Sequence, residues 1–318
     1  MEKAGCAQES EPEGNGMKKY FGILLCVCLL AFMGIAEGAD FIRYMFAEDT
    51  LPNLARDDLL EVHFINVASA DCMLLRMGDH AILIDSGGLR EYERITKYLK
   101  TIGVDALDYV IGTHPHDDHI GGFIGVLDEV PVGTYYEPRY YEKYKSNIRT
   151  RLYRVLKRNH IPVEYLENAQ QMQFGQARLT FFQWQDASIQ QNNRSMMVKV
   201  EYGSRSVLLA ADVEGTGQRY MAQLYGPSLQ SDILKVPHHG INEYTQAFHD
   251  VVQPVFAVIT STKVKAAKSI KGLKQSEVPW VLTTKGTVVA VTEGDQWKIW
   301  QIPNPDATPG EGALEYLR

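Results

Sequence analysis

The densest set of potential metal ligands lies in one ten-residue stretch, Thr113 to Gly122, which reads THPHDDHIGG. His114 and His116 alternate along the chain, so an extended segment can point both imidazoles the same way. Asp118 and His119 follow about one turn later, where they can face a second ion. A solvated loop has no need of imidazoles at this spacing beside paired glycines, so the stretch predicts a metal site.

Two later segments add candidate ligands. Asp212 follows Ala211 at the end of a predicted strand, and its two carboxylate oxygens could bridge two ions. His238 and His239 stand side by side before Gly240, at the end of another predicted strand. Adjacent imidazoles have little purpose in a plain turn, so one of the pair is expected to be a ligand.

Composition limits the classes of protein to which the chain can belong. Its 318 residues are 45% hydrophobic and 22% charged, which is enough for one large core or two modest ones. Lys and Arg number 32 against 39 Asp and Glu, and the formal charge is −7. Proteins that bind nucleic acid usually have a basic excess, so this balance disfavours a general polyanion binder and leaves a local basic patch open.

The amino terminus has the pattern of an export signal. Lys18 and Lys19 precede an uncharged apolar run at 20–36, and small residues follow it. This arrangement is typical of a secretory signal cleaved near Ala36 or Gly38. An uncleaved membrane anchor at 20–36 is the alternative, because the run lies between signal cores and membrane spans of about 20 residues. We therefore expect a secreted or extracytoplasmic protein.

The chain divides into four predicted parts. Residues 1–38 are expected to be a leader with a signal or anchor, 39–58 a linker, 59–302 the folded domain, and 303–318 a flexible tail with several prolines and glycines. After signal cleavage Cys72 alone would remain, so the domain cannot form an internal disulfide.

Strand-like and helix-like patterns alternate through the folded domain, which predicts an α/β fold with two sheets sandwiched by helices. The predicted strands are Leu60–Val67, Cys72–Met77, Ala81–Asp85, Leu107–Ile111, Ala177–Gln183, Ser195–Tyr202, Val207–Ala210, Ile233–Val236 and Val255–Ile259. The predicted helices are Tyr92–Ile102, one after Gly122, Gly217–Leu224 and Thr245–Val252.

A basic aromatic segment runs from Tyr135 to Arg158. It contains Tyr135, Tyr136, Tyr140, Tyr141, Tyr144 and Tyr153, interleaved with Arg139, Lys143, Lys145, Arg149, Arg151, Arg154, Lys157 and Arg158. It could line a cleft, with tyrosines around a cation or stacked on bases and arginines on phosphates. An amphipathic helix with a solvated basic face is the alternative that we favour, because charge-rich helix faces are common on protein surfaces.

The order of these motifs resembles the metallo-β-lactamase superfamily. The matching motifs are LIDSGG at 83–88, THPHDDH at 113–119, NNRS at 192–195, Asp212 after an alanine, and LKVPHHG at 234–240. Within the superfamily the chain is similar to two exported branches, the hydrolase domain of competence DNA-uptake channel proteins and the phosphorylcholine esterases that act on teichoic acids. The resemblance covers Leu59 to Ile302 and implies a four-layer αββα sandwich with a metal site at one edge of its two sheets.

The resemblance also implies how the candidate residues divide their roles. The implied ligands are His114 and His116 for one ion, Asp118, His119 and His239 for the other, and Asp212 as a bridge. His238 would face the substrate, and Asp85 would brace the ligand loop by hydrogen bonds without touching metal. The implied cofactor is Zn²⁺, one ion or two, with Mn²⁺ as an alternative.

The chain departs from the family at three places. Many members have a further histidine for the first ion where this chain offers Asn192, Asn193 and Ser195, which leaves an open position for water or a substrate oxygen. The competence branch commonly has an Asn and a His-Pro after the last motif, whereas Ser261 to Lys268 contains no histidine. Asp71 survives in an altered early turn and is a weaker candidate to support the ligands.

The leading hypothesis for function is an exported metal-dependent hydrolase of phosphodiester or phosphomonoester bonds. A water that loses its proton beside the ions would attack phosphorus, with Asp118 orienting it and His238 donating a hydrogen bond or a proton. The expected substrate is a small-molecule or cell-envelope phosphoester, and a membrane is expected as a partner only through an uncleaved segment at 20–36. A competence-type nuclease acting on DNA is the runner-up, and a catalytically silent binding module is the third hypothesis.

Overall fold

The structure, a computed structural model, describes residues 42–46, 56–186 and 188–303. The predictions for the leader and export segment at 1–38 and for the tail beyond Pro303 lie outside these residues. By their contacts, the described residues all belong to one compact unit. Within the described ranges, no helix combines the length and the apolar character that a membrane span requires.

The described ranges contain two β-sheets with helices packed against each. The strands are β1 (Ile42–Phe46), β2 (Leu60–Phe64), β3 (Met73–Met77), β4 (His80–Ile84), β5 (Leu107–Ile111), β6 (Val132–Pro138), β7 (Val163–Leu166), β8 (Gln171–Phe174), β9 (Ala177–Phe182), β10 (Met197–Tyr202), β11 (Arg205–Leu209), β12 (Ile233–Lys235), β13 (Phe256–Ile259), β14 (Trp280–Leu282), β15 (Gly286–Thr292) and β16 (Trp297–Pro303). The α-helices are α1 (Tyr92–Thr101), α2 (Asp117–Ile120), α3 (Phe123–Glu129), α4 (Asn147–Arg158), α5 (Gly215–Tyr225), α6 (Gln246–Val252) and α7 (Ala267–Gln275). Short 3-10 helices lie at Leu89–Glu91, Arg139–Tyr141, Asn192–Arg194, Gly226–Leu229, Pro237–Gly240 and Thr283–Lys285.

Both sheets mix parallel and antiparallel strands. The first has the order β1-β16-β15-β2-β3-β4-β5-β6-β7, and the second has the order β14-β13-β12-β11-β10-β9-β8. Strands β4 to β7 run parallel in the first sheet, and β11 to β14 run parallel in the second. Because the carboxyl ends of parallel neighbours meet at one edge of a sheet, the loops that follow them converge there.

Three buried clusters show how the layers stack. Leu60, Val62 and Phe64 alternate along β2 and belong to one cluster with Phe181 and Val198 of the second sheet. A second cluster joins the first sheet to α1, α3 and α4, and a third joins the second sheet to α5, α6 and α7. Helices, sheet, sheet and helices therefore form the four-layer αββα sandwich, and the predicted fold class is confirmed.

Several boundaries differ from those predicted. Strand β1 pairs with β16 in parallel, so Ile42–Phe46 belongs to the first sheet, and the prediction of a linker over 39–58 needs correction there. The sequence pattern missed β6 to β8 and β14 to β16. Strands β7 and β8 have four residues each and β14 has three, which is too short for a two-residue alternation to be recognised.

Helix α4 accounts for the second half of the basic aromatic segment. Ile148 and Leu152 are buried against the first sheet, while the basic side chains on the opposite face are largely exposed. The helix begins after Ser146, whose hydroxyl accepts a hydrogen bond from the Arg149 N–H at 3.2 Å. The amphipathic helix that the sequence predicts is therefore present over Asn147–Arg158.

The inter-sheet cluster generates a prediction about stability. Phe181 is fully buried there, so we expect Phe181→Ala to lower the free energy of unfolding by about 3–5 kcal/mol, because the sheets cannot close the cavity. Leu224→Ala is the control, since Leu224 is 51% exposed and its truncation should cost less than about 0.5 kcal/mol. Urea unfolding followed by tryptophan fluorescence measures both. Equal costs for the two variants would contradict this assignment of the core.

Candidate metal centre

The predicted ligands meet at the edge where parallel strands of both sheets end. In the first sheet, β4 and β5 end level with each other, Ile84 opposite Ile111, just before Asp85 and the THPHDDH stretch. In the second sheet, Leu209 of β11 lies opposite Lys235 of β12, so the residues after them also come together. The register of the parallel strands therefore brings segments that are distant in the chain to one place.

Two groups of side chains at this edge could each hold a metal ion, and both include Asp212. The first group is His114, His116 and Asp212, and the second group is Asp71, His119, Asp212 and His239. Within each group, one ligand atom from every residue lies within 4.8 Å of the others. All of these residues are buried except His116, which is partly buried.

The Asp212 carboxylate lies between the two groups. Its Oδ2 is 3.1 Å from His119 Nε2 and 3.6 Å from His114 Nε2, and its Oδ1 is 3.5 Å from His239 Nε2. The Asp212 N–H donates to Ser195 Oγ at 3.0 Å, which fixes the start of the turn. One carboxylate thus faces imidazoles of both groups, and its role as a bridge between two ions stays a prediction.

Asp118 lies at the more exposed side of the centre. Its Oδ2 is 3.4 Å from His239 Nε2, and its side chain is 47% exposed. The structure therefore brings Asp118 next to the second group, whose buried carboxylate member besides Asp212 is Asp71. An exposed carboxylate beside the ligands is accessible to a substrate or a water molecule.

Asp71 holds His239 in place. Its Oδ1 lies 2.9 Å from His239 Nδ1 and accepts a hydrogen bond from Thr260 Oγ1 at 2.6 Å. Its Oδ2 pairs with Lys235, whose side chain is fully buried and also donates to the Ala211 carbonyl at 3.0 Å. Because Nδ1 of His239 is engaged, its Nε2 points into the centre. Sequence reasoning missed Lys235, although a lysine within an apolar strand just before the paired histidines is a signal that could have found it.

Asp85 braces the first ligand loop. Its Oδ1 accepts the Thr113 N–H at 2.8 Å, and its Oδ2 accepts the Thr113 hydroxyl at 2.7 Å and lies 2.7 Å from His119 Nδ1. The remaining nitrogen of His119, Nε2, therefore faces Asp212. This geometry suits a carboxylate that supports ligands by hydrogen bonds, the role that the resemblance implies for Asp85, and whether Asp85 contacts a bound ion stays a prediction.

Backbone strain is concentrated at the same edge. Asp85, Ala211, His238 and His239 all have a positive φ, at 56°, 43°, 47° and 54°. Each such residue costs about 1–3 kcal/mol and persists only where the surrounding contacts hold it. The paired histidines take this conformation consecutively, which turns their side chains toward different partners.

His238 faces the opening of the centre. Its side chain is 19% exposed, with Nε2 at 3.7 Å from Asp212 Oδ2 and Nδ1 at 3.5 Å from Glu214 Oε1. Asn192 Nδ2 donates to Glu214 Oε1 at 2.9 Å and lies 3.4 Å from His238 Nε2. Glu214 is thus a neighbour of the centre that sequence reasoning missed, since an isolated glutamate after Asp212-Val213 carries no distinctive signal.

Gln191 occupies the region where many superfamily members have a further histidine. Its Oε1 lies 2.9 Å from His116 Nε2, while His116 Nδ1 lies 3.1 Å from His114 Nε2. Sequence reasoning named Asn192, Asn193 and Ser195 for this region and missed Gln191. The first group therefore has two imidazoles and one shared carboxylate, and no third imidazole.

The pKa values of the buried imidazoles are shifted in opposite directions in the metal-free protein. Burial would lower the pKa of His119, but Asp212 and Asp85 raise it to about 10. Burial also opposes the charge of His239, yet Asp212 raises its pKa well above the usual value. For His114, burial and the neighbouring His119 hold the pKa well below the usual value. A metal ion that binds here at neutral pH must therefore displace protons.

Buried polar atoms without a hydrogen bond indicate which kind of ligand the centre can bind. In the described part of the chain, His119 Nε2, His239 Nε2 and Asp212 Oδ1 are buried and make no hydrogen bond. Burial would raise the pKa of Asp212, but His119 and His239 hold it well below the usual value, so the carboxylate stays ionised. Buried imidazole and carboxylate groups that face one another without satisfying these atoms by hydrogen bonds would destabilise a plain core. Imidazole nitrogens and carboxylate oxygens are donors that divalent metal ions take, so the residues fit a metal centre.

Comparison with known proteins agrees with this geometry. A model of the Metallo-beta-lactamase superfamily matches residues 65–248, more than half of the chain. The protein belongs to the metallo-beta-lactamase superfamily, and the resemblance that the motifs indicated is confirmed.

Its curated relatives include competence proteins. Competence protein ComA of Neisseria gonorrhoeae is 26% identical over 200 residues, which are 62% of this chain and 26% of that protein. ComE operon protein 3 of Bacillus subtilis (strain 168) is 24% identical over 230 residues, which are 64% of this chain and 28% of that protein. This chain therefore matches only about a quarter of the length of these relatives.

Among solved structures, the metallo-beta-lactamase fold protein YhfI from Bacillus subtilis is similar with a TM-score of 0.44 and 12% identity, covering 67% of this chain and 92% of that one.

The brace at Asp85 yields a prediction about metal affinity. We expect Asp85→Asn to weaken metal binding by about 10- to 100-fold, because an amide cannot accept from both Thr113 and His119 as the carboxylate does. Asp79→Asn, in the exposed turn between β3 and β4, should leave the affinity unchanged. Competition with a fluorescent zinc chelator measures both variants. An unchanged affinity in Asp85→Asn would refute the bracing role.

The raised pKa values predict a pH dependence. His119, with its pKa raised to about 10, keeps its proton at pH 7 until metal displaces it. Apparent affinity should therefore rise with pH below that value, by about tenfold per pH unit for each displaced proton. Chelator competition across a pH series measures the slope, and calorimetry in buffers of different ionisation enthalpy counts the released protons. A flat affinity without proton release would contradict the charge assignment.

Proposed function

We propose that this protein is a metal-dependent phosphodiesterase with zinc as its native ion. The observation that supports this most directly is the Asp212 carboxylate, which faces imidazoles of two adjacent ligand groups. Paired metal sites of this kind suit phosphoester hydrolysis, because one ion can balance charge on the attacking oxygen and the other on the leaving oxygen. The mixture of imidazoles and carboxylates suits zinc, and manganese is the alternative.

The residues around the centre have distinct tasks in this proposal. Bound ions supply Lewis acidity and lower the pKa of water from roughly 15.7 to about 7. Asp118, which is half-exposed beside His239, accepts a hydrogen bond from the attacking water and orients it toward the substrate. His238, at the opening, donates a hydrogen bond to a phosphoryl oxygen or protonates the leaving group. The remaining imidazoles would bind the ions, namely those of His114, His116, His119 and His239.

The absence of a third imidazole from the first group bears on substrate binding. His114, His116 and Asp212 are the side chains that would hold the first ion, and an ion held by three protein ligands could accept a phosphoryl oxygen as a further ligand. Gln191, in contact with His116, keeps that imidazole oriented from outside. An open position on one ion is what a hydrolytic centre needs and a purely structural site lacks. This argues against a catalytically silent binding module.

Two features outside the centre extend the proposal. The lysines and apolar run at 18–36, which lie outside the described residues, support export by a signal or an N-terminal anchor. An exported phosphodiesterase would meet phosphoesters of the cell envelope.

The relatives named competence proteins support a nuclease acting on DNA as the second candidate. Hydrolysis of β-lactams is not proposed, because the missing histidine and the HHG ending distinguish this chain from antibiotic-cleaving enzymes.

Two neighbouring aspartates provide the test. We expect the purified protein to bind close to two zinc ions and to hydrolyse bis-p-nitrophenyl phosphate. Asp118→Asn should lower kcat by about 10²-fold or more, whereas Asp117→Asn, exposed in the same short helix α2, should leave kcat within about twofold. Plasma emission gives metal content, and nitrophenolate release gives turnover. Bound metal without turnover of any phosphoester would refute the phosphodiesterase, and a chain that binds no metal would refute the centre itself.

A further inference from the structure

A pocket of about 450 Å³ lies between the end of β9 and helix α5. Its lining combines two aromatic rings with three amides and one carboxylate, those of Trp184, Tyr220, Asn168, Gln183, Gln185 and Asp186. None of these residues belongs to the two candidate ligand groups. The pocket is therefore a surface distinct from the metal ligands, and we call it the Trp184 pocket.

The two aromatic rings of the Trp184 pocket form a flat platform. The rings of Trp184 and Tyr220 have centroids 3.9 Å apart and planes 14° apart, so they stack face to face. Both side chains are only partly buried. Leu224, which also lines the pocket, follows Tyr220 by one turn of α5 and is 51% exposed. The platform and Leu224 thus offer an apolar area that a ligand can cover.

The amides beside the platform retain capacity for hydrogen bonds. Gln183 is buried, and its Nε2 donates to the Arg194 carbonyl at 2.7 Å. Its Oε1 is buried too and makes no hydrogen bond within the described residues. A buried oxygen of this kind is costly without a donor, so a ligand hydroxyl that donates to it would stabilise the pocket. Gln185 and Asp186 are exposed and add further donors and acceptors.

The charge of the lining disfavours anionic ligands. Among the described residues that line the pocket there is no lysine or arginine. Asp186 Oδ1 accepts hydrogen bonds from the Ser188 N–H at 2.8 Å and from the Ser188 hydroxyl at 2.7 Å, which lower the pKa of Asp186. The Asp186 carboxylate is therefore ionised at neutral pH. A phosphate or a nucleic acid would meet a like charge and no cation here.

The shape of the platform disfavours a quaternary ammonium. Such a cation is bound best by ring faces that surround it as a cage. Trp184 and Tyr220 stack on each other almost in parallel, so together they present a flat surface and not a cage. The ligand that fits best is flat, apolar on one face, and rich in uncharged hydrogen-bonding groups at its edge.

We propose that the Trp184 pocket binds a neutral saccharide, with one pyranose ring lying on the platform. One face of a pyranose carries several C–H bonds that pack on an aromatic ring. Its edge carries hydroxyls, which donate to amide and carboxylate oxygens and accept from amide N–H groups. This inference goes beyond the proposed function, because it requires neither bound metal nor hydrolysis.

The Trp184 pocket adjoins the elements that border the metal centre. The segment 184–191 begins at the platform and ends at Gln191, whose Oε1 lies 2.9 Å from His116 Nε2. Gly217, in the first turn of α5, has no room for a Cβ beside Asn193 Oδ1, so α5 packs closely on the 3-10 helix that follows Gln191. A saccharide in the pocket would therefore be held next to the centre by the same two elements.

Tryptophan fluorescence and NMR provide the test. The chain has four tryptophans, and none of the three outside the pocket is more than 8% exposed, so acrylamide quenches Trp184 most readily. The probes are tetrasaccharides of glucose, galactose, mannose and N-acetylglucosamine. We expect at least one to protect the fluorescence from acrylamide and to receive saturation transfer from the protein. Choline and inorganic phosphate at the same concentration should do neither.

Two glutamines of one segment supply a matched pair of variants. Gln185 lines the pocket and Gln190 does not, and both are exposed. We expect Gln185→Ala to weaken saccharide binding by about threefold to tenfold, because one or more hydrogen bonds are lost, and Gln190→Ala to bind within about twofold of the parent. Trp184→Ala should bind about tenfold more weakly than the parent, and Trp184→Phe, which keeps a ring, should recover part of that loss.

Three results would each overturn the proposal: no saccharide binding by the parent, equal affinities of Gln185→Ala and Gln190→Ala, or tighter binding of choline than of every saccharide. All four variants should keep the zinc content of the parent and its turnover of bis-p-nitrophenyl phosphate, which serve as the check of folding. If a Trp184 variant fails that check, the exposed glutamine pair decides the question. Saccharide binding is measured without turnover, so failure of the phosphodiesterase and failure of this proposal are distinguishable.

Discussion

Charge compensation of three buried carboxylates governs the structure of this protein. Asp71, Asp85 and Asp212 lie at the junction of the two sheets, and none is more than 1% exposed. An ionised carboxylate in such a place is tolerated only when neighbours supply positive charge and hydrogen bonds. Here His119 lies between Asp85 and Asp212, and His239 lies between Asp71 and Asp212. The same contacts therefore stabilise the chain and aim the remaining imidazole nitrogens at a common point.

Because the carboxylates come from different strand ends, this constraint ties the two sheets together. Asp71 and Asp85 belong to loops of the first sheet, and Asp212 follows β11 of the second. Positive φ at Asp85, His238 and His239 is the local cost of bringing them together, and the hydrogen bonds around them maintain it. A metal ion adds to this arrangement by replacing the protons on the imidazoles.

The elements around the centre are of two kinds, those that carry the ligand motifs of the superfamily and those that lie outside these motifs. The ligand segments come from ends of core strands, which hold them rigidly whatever the substrate is. Helix α7 and the 3-10 helix at Arg139–Tyr141 lie outside the ligand motifs. Function in such folds is decided by the groups placed around a shared centre.

The amino-acid sequence by itself determined the ligand types, their order, and most of the core elements. Imidazoles and carboxylates at the spacing of His114 to His119 predict a metal site. The alternation of apolar residues in β2 and the short apolar runs in β3 and β11 predict strands, because strands between packed layers bury their side chains. The bracing role of Asp85 came from the resemblance to the superfamily, and the contacts of Asp85 with Thr113 and His119 suit that role. Very short strands such as β14 leave too few residues for a pattern to show.

Only the tertiary structure decided which distant residues share the centre. Lys235 looked like an ordinary strand residue until the fold placed it on Asp71, and Gln191 and Glu214 carry no local pattern that links them to His116 or His238. The physical reason is that strand register and chain crossover set distances between segments, whereas local sequence records only propensity and periodicity. Sequence therefore determined the chemistry available at the site, and the packing of two sheets decided which atoms face one another.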